Sequence, residues 1–204
     1  INGASAYISF YARVFADGKV VGNTIYKVPA GAPYALTVEF TTSATRTIRF
    51  DVSLGFVGID HDGTISQTPT KRKVAIVGDS YIQNQWSEAE YPGFHPALDS
   101  QPCLLSHWLD CNMYGNGVSA TGYDSFYARR AGVIGWAPEA VLIFGSVNDT
   151  VFGNTAEHVY DTASLLYAAI NAALPTTRLL VVGPQSGSSA TLVEAVIAAA
   201  TDAG

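Results

Sequence analysis

Three short stretches carry the residue types that acyl transfer needs. They are Gly78-Asp79-Ser80, Gly115-Asn116-Gly117-Val118-Ser119 and Gly145-Ser146-Val147-Asn148-Asp149, and each follows an apolar or mixed run with strand character. Together they offer a hydroxyl, a glycine backbone N–H and a side-chain amide. Ser80 Oγ would attack a carbonyl carbon, and the developing oxyanion would accept hydrogen bonds from the Ser80 N–H, the Gly117 N–H and the Asn148 amide. Glycine at 117 keeps a Cβ out of the path between backbone and substrate. Losing one oxyanion donor costs about 3–4 kcal/mol of barrier in such sites. Taken singly, each stretch has an ordinary reading: Gly-Asp-Ser as a turn, Gly117 as a tight-turn residue, Asn148-Asp149 as the cap of a following helix. Asp79 is read as shaping the turn beside the nucleophile, not as a base.

The elements that must position these loops alternate between strand and helix. Val74 to Val77 is a short β-branched run that stops at Gly78. Pro102 to Leu109 reads as a short helix with proline in its first turn, Cys111 to Tyr114 as a brief strand, and Tyr123 to Ala131 as a helix. Ala140 to Phe144 and Leu179 to Val182 read as buried parallel strands. Thr155 to Leu174 keeps Val159, Ala163, Leu166 and Ile170 at helical spacing, and Ser189 to Ala200 reads as a last helix. Such alternation predicts a doubly wound α/β parallel sheet with helices on both faces. In that arrangement the three loops emerge on one sheet edge, although Gly117 lies 37 positions after Ser80 and Asn148 a further 31.

The first third has a different texture. Ile48, Phe50, Val52 and Leu54 alternate with Thr47, Arg49, Asp51 and Ser53, and Tyr34, Leu36, Val38 and Phe40 keep the same period of two. Tyr7 to Phe15 is a third strand candidate. Asp17-Gly18 predicts a tight hairpin into Lys19 to Gly22, Asp62-Gly63 repeats the device, and Pro29, Gly31 and Pro33 punctuate a loop. The expected organisation is a small sandwich-like β module over 1–66, a polar Pro-containing linker over 67–72, and the α/β domain over 73–204.

Composition narrows the function classes. The 204 residues include 48% hydrophobic and 14% charged residues, enough apolar content for a substantial core. Formal net charge is −6 with 11 basic residues, and the one local cluster is Lys71-Arg72-Lys73. A basic face for nucleic acid is not visible, which argues against that partner. No apolar run approaches the roughly 18–20 residues of a membrane span. Cys103 and Cys111, on a helical path, would sit roughly 12 Å apart, too far for a bridge, and read as buried free thiols. Neither metal-ligand nor cofactor motif is legible, and the lack of an Asp/His metal pattern disfavours a phosphoesterase. Ile1 reads as an internal or processed start, and the compartment stays open.

Val-Gly-Asp-Ser after a strand, Asn-x-Gly-Val-Ser, and strand-Gly-x-x-Asn-Asp, in that order, resemble the SGNH (GDSL-type) hydrolase superfamily. The resemblance covers about 73–204. It implies a flavodoxin-like three-layer fold, Ser80 as nucleophile, and Gly117 and Asn148 as oxyanion-hole residues, with no cofactor and no metal. Ala120 stands where a second glycine is common in the family. The family takes its base from an Asp-x-x-His near the C-terminus, but position −3 from His61, His95, His107 and His158 holds Gly58, Pro92, Leu104 and Thr155. His95, in the loop after the nucleophile, is the one that could line a pocket. A doubly wound sheet usually continues past Leu179 to Val182 with another strand and helix. The expectation is therefore a chain truncated before its catalytic histidine, hydrolysing esters poorly or not at all by itself.

Tyr81, Trp86, Tyr91, Phe94, Tyr114 and Tyr123 are candidates for stacking on sugars or for ordinary packing. A β module ahead of this fold resembles the layout of carbohydrate deacetylases and of some phage tail proteins. The expected function is a carbohydrate O-deacetylase taking an acylated carbohydrate or other small ester through an acyl-serine intermediate. The alternative is a catalytically incomplete glycan-binding or structural module of a larger assembly.

Overall fold

The computed structural model describes residues 10–22, 26–28, 35–52, 60–66, 71–83, 101–145, 147–183 and 189–204. The expected linker residues 67–70 and the loop 84–100, with His95, Trp86, Tyr91 and Phe94, lie outside the described residues, as do Pro29, Gly31 and Pro33.

An antiparallel sheet is built from β1 (Phe10–Ala16), β2 (Lys19–Val20), β3 (Tyr26–Val28) and β4 (Ile48–Val52). β1 pairs with all three of the others. The Asp17-Gly18 hairpin forms as expected, with φ of 51° and 78° at the two positions and Phe15 opposite Val20. Two left-handed residues in a row match the twist of the flanking strands. Asp17 also ties β4 to the turn, its Oδ1 accepting from the Thr47 N–H at 2.9 Å.

Two expectations for this region fail. Residues 35–40 have no strand pairing, and Phe40 instead lies under the Arg46 guanidinium at 4.6 Å. Alternation alone does not make a strand; that takes a neighbour to pair with, and 35–40 have none among the described residues. Asp62-Gly63 forms a bend without flanking strands, with His61 Nδ1 2.8 Å from the Gly63 carbonyl oxygen. The alternation of β4 is real, but its polar side is covered: Asp51 is 7% exposed, whereas Ile48 is 37% exposed.

The α/β unit carries the parallel sheet β6-β5-β7-β8, formed by β5 (Lys73–Gly78), β6 (Asn112–Gly117), β7 (Ala140–Phe144) and β8 (Arg178–Val182). Its helices are α1 (Ser80–Gln83), α2 (Gln101–Trp108), α3 (Tyr123–Ala128), α4 (Arg130–Trp136), α5 (Val147–Val151), α6 (Ala156–Ala173) and α7 (Ala190–Asp202). The expected helix over 123–131 divides in two at Arg129. The apolar run of β8 predicts a buried strand, yet among the described residues it is an edge strand on which Leu180 is 51% exposed. Thr155 and Ser189 cap α6 and α7, accepting from the N–H groups of His158 and Leu192.

Ala75, Val77, Val141 and Ile143 pack in one cluster with Tyr123 and Phe126 of α3, Val159, Leu166, Tyr167 and Ile170 of α6, and Leu192 and Val196 of α7. Val74 and Ile76, pointing to the opposite face, are buried as well, so β5 is covered on both sides. Among the described residues, no helix is long and apolar enough to cross a membrane. Neither cysteine forms a disulfide, and burial, then the neighbouring Asp51 carboxylate, push the Cys103 thiol up to about 12.

Strand order decides where a ligand can sit. After β5 the chain steps to β6 on one side, then crosses to β7 on the other. The crevice of an open α/β sheet opens at such a switch point, outside the carboxyl ends of the strands. Ser80 follows β5 there, Gly117 ends β6, and Asn148 follows β7.

Candidate active site

The Gly78-Asp79-Ser80 turn is built by close approach. A Cβ on Gly78 would sit 2.3 Å from Ile82 Cγ1, so only glycine lets the strand turn directly into α1. Asp79 then organises that turn: its Oδ1 accepts from the Tyr81 N–H at 3.1 Å, and its carbonyl accepts from the N–H groups of Ile82 at 3.1 Å and Gln83 at 2.9 Å. Burial raises the Asp79 pKa and nearby Asp149 adds to the rise, against backbone hydrogen bonds that lower it. Asp79 is 3% exposed and occupied as a turn-shaping acceptor, in agreement with the sequence reading. Ser80 is the first residue of α1 and half-buried.

Gly117 faces Gly78 across the β5–β6 ladder, and the next N–H, of Val118, donates to the Gly78 carbonyl at 3.2 Å. A Cβ at 117 would lie 2.2 Å from Gln83 N and 2.6 Å from the Ile82 carbonyl carbon. Glycine is needed at 117 because the backbone of α1 crosses it, whatever else binds there. Gln83 Oε1 in turn accepts from the Ser119 N–H. Ala120 adopts φ of 53°, a left-handed conformation that glycine takes without strain. That explains why glycine suits this position.

Asn148 lies in α5 and joins the other two loops. Its Nδ2 donates to Asp79 Oδ2 at 3.2 Å and to the Thr121 carbonyl at 3.1 Å. Asn148 is thus not the cap of a following helix. Asp149, 2% exposed, serves the start of α3: its Oδ2 accepts from the Tyr123 N–H at 3.3 Å and its Oδ1 from Asn154 Nδ2 at 2.8 Å.

Sequence reasoning missed Arg129, which holds two of these loops from behind. It donates to the carbonyl of Gly78 at 3.1 Å, to Asn116 Oδ1 at 2.9 Å and to the Asn116 carbonyl at 3.3 Å. A signal was present: Arg129 and Arg130 are the only basic residues between Lys73 and Arg178.

The described histidines have other occupations. His107 Nε2 is 3.0 Å from Asp51 Oδ2, His158 Nε2 is 2.9 Å from Asp124 Oδ2, and His61 contacts the Gly63 carbonyl. Of the candidate stacking rings, Tyr123 is a core residue, 1% exposed, with its hydroxyl 3.0 Å from that of Tyr167. Tyr114 stacks on Trp136 at 6.0 Å between centroids. Tyr81 alone of the described candidates sits beside Ser80, partly exposed.

No protein-family model matches the sequence, and comparison with curated proteins finds no match either. Solved structures do match. A lipolytic protein of the G-D-S-L family from Desulfitobacterium hafniense superposes with a TM-score of 0.51 at 20% identity, over 64% of this chain and 71% of that one. The acetyl xylan esterase Est2A from Butyrivibrio proteoclasticus superposes with a TM-score of 0.67 at 13% identity, over 98% of this chain and 74% of its own. The fold is that of the SGNH-type hydrolases. A family two carbohydrate esterase from Clostridium thermocellum, solved with cellohexaose, matches with a TM-score of 0.63 at 12% identity over 96% of this chain and 70% of that one. The G-D-S-L match covers about as many residues as the α/β unit and its connections hold, whereas the two carbohydrate esterases match almost the whole chain, antiparallel sheet included.

Proposed function

We propose that this protein is an SGNH-type serine esterase that removes acetyl or short acyl groups from carbohydrate. The observation that carries the reading is the Asn148 amide, which bridges the Asp79-Ser80 loop and the loop after Gly117 at the switch point of the sheet. Ser80 Oγ attacks the ester carbonyl, and its proton passes to a base and on to the leaving sugar oxygen. The oxyanion takes hydrogen bonds from the Ser80 N–H, the Gly117 N–H and the Asn148 amide, which turns one N–H from its present acceptor toward the substrate. Water then cleaves the acyl-Ser80 ester by the same steps in reverse roles.

Carbohydrate is favoured over lipid as substrate because carbohydrate esterases share the whole two-sheet layout at 96–98% coverage. In this reading 1–66 is an accessory β module, 67–72 a linker and 73–204 the hydrolase domain.

The test is labelling by a fluorophosphonate probe with the modified residue mapped by mass spectrometry, beside acetate release from acetylated xylan. Labelling at Ser80 that Ser80→Ala abolishes is the expected result; with no described histidine at Ser80, acetate release by residues 1–204 should be slow but should exceed hydrolysis of a long-chain ester. A second reading rests on the histidines: none of those described contacts Ser80. A glycan-binding or structural module without chemistry would give no labelling but would retain affinity for xylan or cellulose oligosaccharides.

A further inference from the structure

Where the antiparallel sheet meets the α/β unit, three potential ligand side chains of different chemistry converge. Asp51 comes from β4, and Cys103 and His107 lie one helical turn apart on α2. One carboxylate oxygen, the Sγ and one ring nitrogen all lie within 4.8 Å of one another. The Asp51 to His107 distance is 3.0 Å. Bonds of about 2.0–2.3 Å in a tetrahedral zinc site put neighbouring donor atoms about 3.3–3.8 Å apart, so closure on an ion needs only small side-chain shifts. We propose that Asp51, Cys103 and His107 form a binding site for a divalent ion of the Zn²⁺ type.

The surroundings fit that role. Arg49 Nε donates to Asp51 Oδ1 at 2.8 Å, which leaves Oδ2 turned toward the His107 nitrogen. Arg49 Nη2 also donates to Ser106 Oγ at 3.1 Å, and Ser106 Oγ donates to the Cys111 carbonyl at 2.8 Å, so the supporting hydrogen bonds run through both elements. The Phe15 ring packs edge-on against the imidazole at 5.5 Å. Such outer contacts fix the orientation of ligating groups. A thiolate and an imidazole select zinc over the hard cations, which prefer all-oxygen sites. Asp51 is buried but the His107 side chain is 34% exposed, giving the ion an entry path and a fourth position for water.

On binding, the Cys103 S–H bond breaks, its electron pair forms the metal–sulfur bond, and the proton leaves to solvent. His107 Nε2 gives up the proton it shares with Asp51 Oδ2, the neutral ring keeping its one remaining proton on Nδ1, and the freed Nε2 lone pair binds the ion beside the Asp51 carboxylate. Thiolate and carboxylate together balance the two charges of the ion. Because β4 and α2 lie far apart in sequence, the ion would cross-link the antiparallel sheet to the α/β unit. His107 sits at the end of α2 that leads into the start of β6, opposite the Gly117 end, so the site is separate from Ser80.

The test is titration of metal-free protein with Co²⁺. The expected result is a thiolate-to-cobalt charge-transfer band with the visible bands of a tetrahedral centre, saturating at one equivalent and erased by Zn²⁺. Saturating Zn²⁺ should raise Tm by roughly 5–10 °C. Cys103→Ser should abolish the charge-transfer band, while His107→Gln should keep that band but weaken Co²⁺ binding by more than about tenfold. Cys111→Ser and Ser80→Ala should bind as the parent does, which keeps this result independent of the esterase assay. Absence of the charge-transfer band in the parent, or its survival in Cys103→Ser, would overturn the proposal and leave a hydrogen-bonded cluster around Asp51.

Discussion

Replacing Arg129 by methionine asks whether one guanidinium holds the candidate site from behind. Its Nε donates to Asn116 Oδ1, its Nη1 to Ser125 Oγ at 2.6 Å and Thr121 Oγ1 at 3.3 Å, and its Nη2 to the carbonyls of Gly78 and Asn116. All of these acceptors are uncharged, so ion-pair energy does not enter. Methionine keeps an apolar stem against Phe126, whose ring centroid lies 5.4 Å from the guanidinium carbon. The Gly78 carbonyl retains the Val118 N–H, and the two hydroxyls, only half-buried, can turn to water. The cost therefore concentrates on Asn116, 8% exposed, whose side-chain oxygen loses its donor and whose carbonyl loses one as well. At about 1–3 kcal/mol for each buried acceptor left without a partner, the two together span about 2–6 kcal/mol. Burial lowers the Arg129 pKa, so desolvation already offsets part of what the guanidinium contributes, which favours the lower end of that range. For a chain of this size about 2–3 kcal/mol corresponds to a fall in Tm of roughly 5–10 °C. Urea unfolding followed by circular dichroism measures it, and Arg129→Lys, which keeps the charge but not the fork, should recover less than half. A double-mutant cycle with Asn116→Ala should show coupling of about 1 kcal/mol or more. A loss below about 0.5 kcal/mol, or strict additivity in the cycle, would refute the reasoning.

Four further substitutions probe other parts of the same structure. Gly117→Ala forces a Cβ against the backbone of Ile82 and Gln83 and should destabilise by about 3 kcal/mol, whereas Gly63→Ala, with nothing within 4 Å, should be near neutral; thermal melts of both check the contrast. Ala120→Gly relieves a left-handed φ of 53° and should leave stability unchanged or raise it by up to about 1 kcal/mol in urea unfolding, since glycine's extra unfolded-state entropy offsets part of the gain. The hydrogen bond that His158 donates to Asp124 raises the His158 pKa, so this pair's stabilisation is fully present below the ordinary imidazole value of about 6.5 and lost as pH rises through the higher folded value. An NMR titration should place His158 above 6.5, and Asp124→Asn should bring it back toward that value.

Periodicity and short motifs made much of the α/β unit legible. β5, β7, α6 and α7 follow from apolar runs, helical spacing and the caps Thr155 and Ser189, all properties of neighbouring residues in the chain. The Asp17-Gly18 turn was legible for the same reason: two adjacent residues that tolerate positive φ specify it. The order of the three loops around Ser80, Gly117 and Asn148 could be anticipated because a parallel sheet puts every strand's carboxyl end on one edge.

Contacts between distant segments decided the rest. Residues 35–40 alternate like a strand, but they pair with no strand among the described residues, and pairing is not written in one segment alone. The polar face of β4 looks solvated until α2 covers it and Asp51 meets Cys103 and His107. Tyr123 resembles a pocket ring in sequence and becomes core only when α6 brings Tyr167 to its hydroxyl. Gly117 shows most clearly where the two sources of information divide. The sequence marked it as a position that must lack a Cβ, and its motif named a role at an oxyanion. The tertiary structure adds a cause independent of any substrate: the backbone of α1 occupies the space a side chain would need.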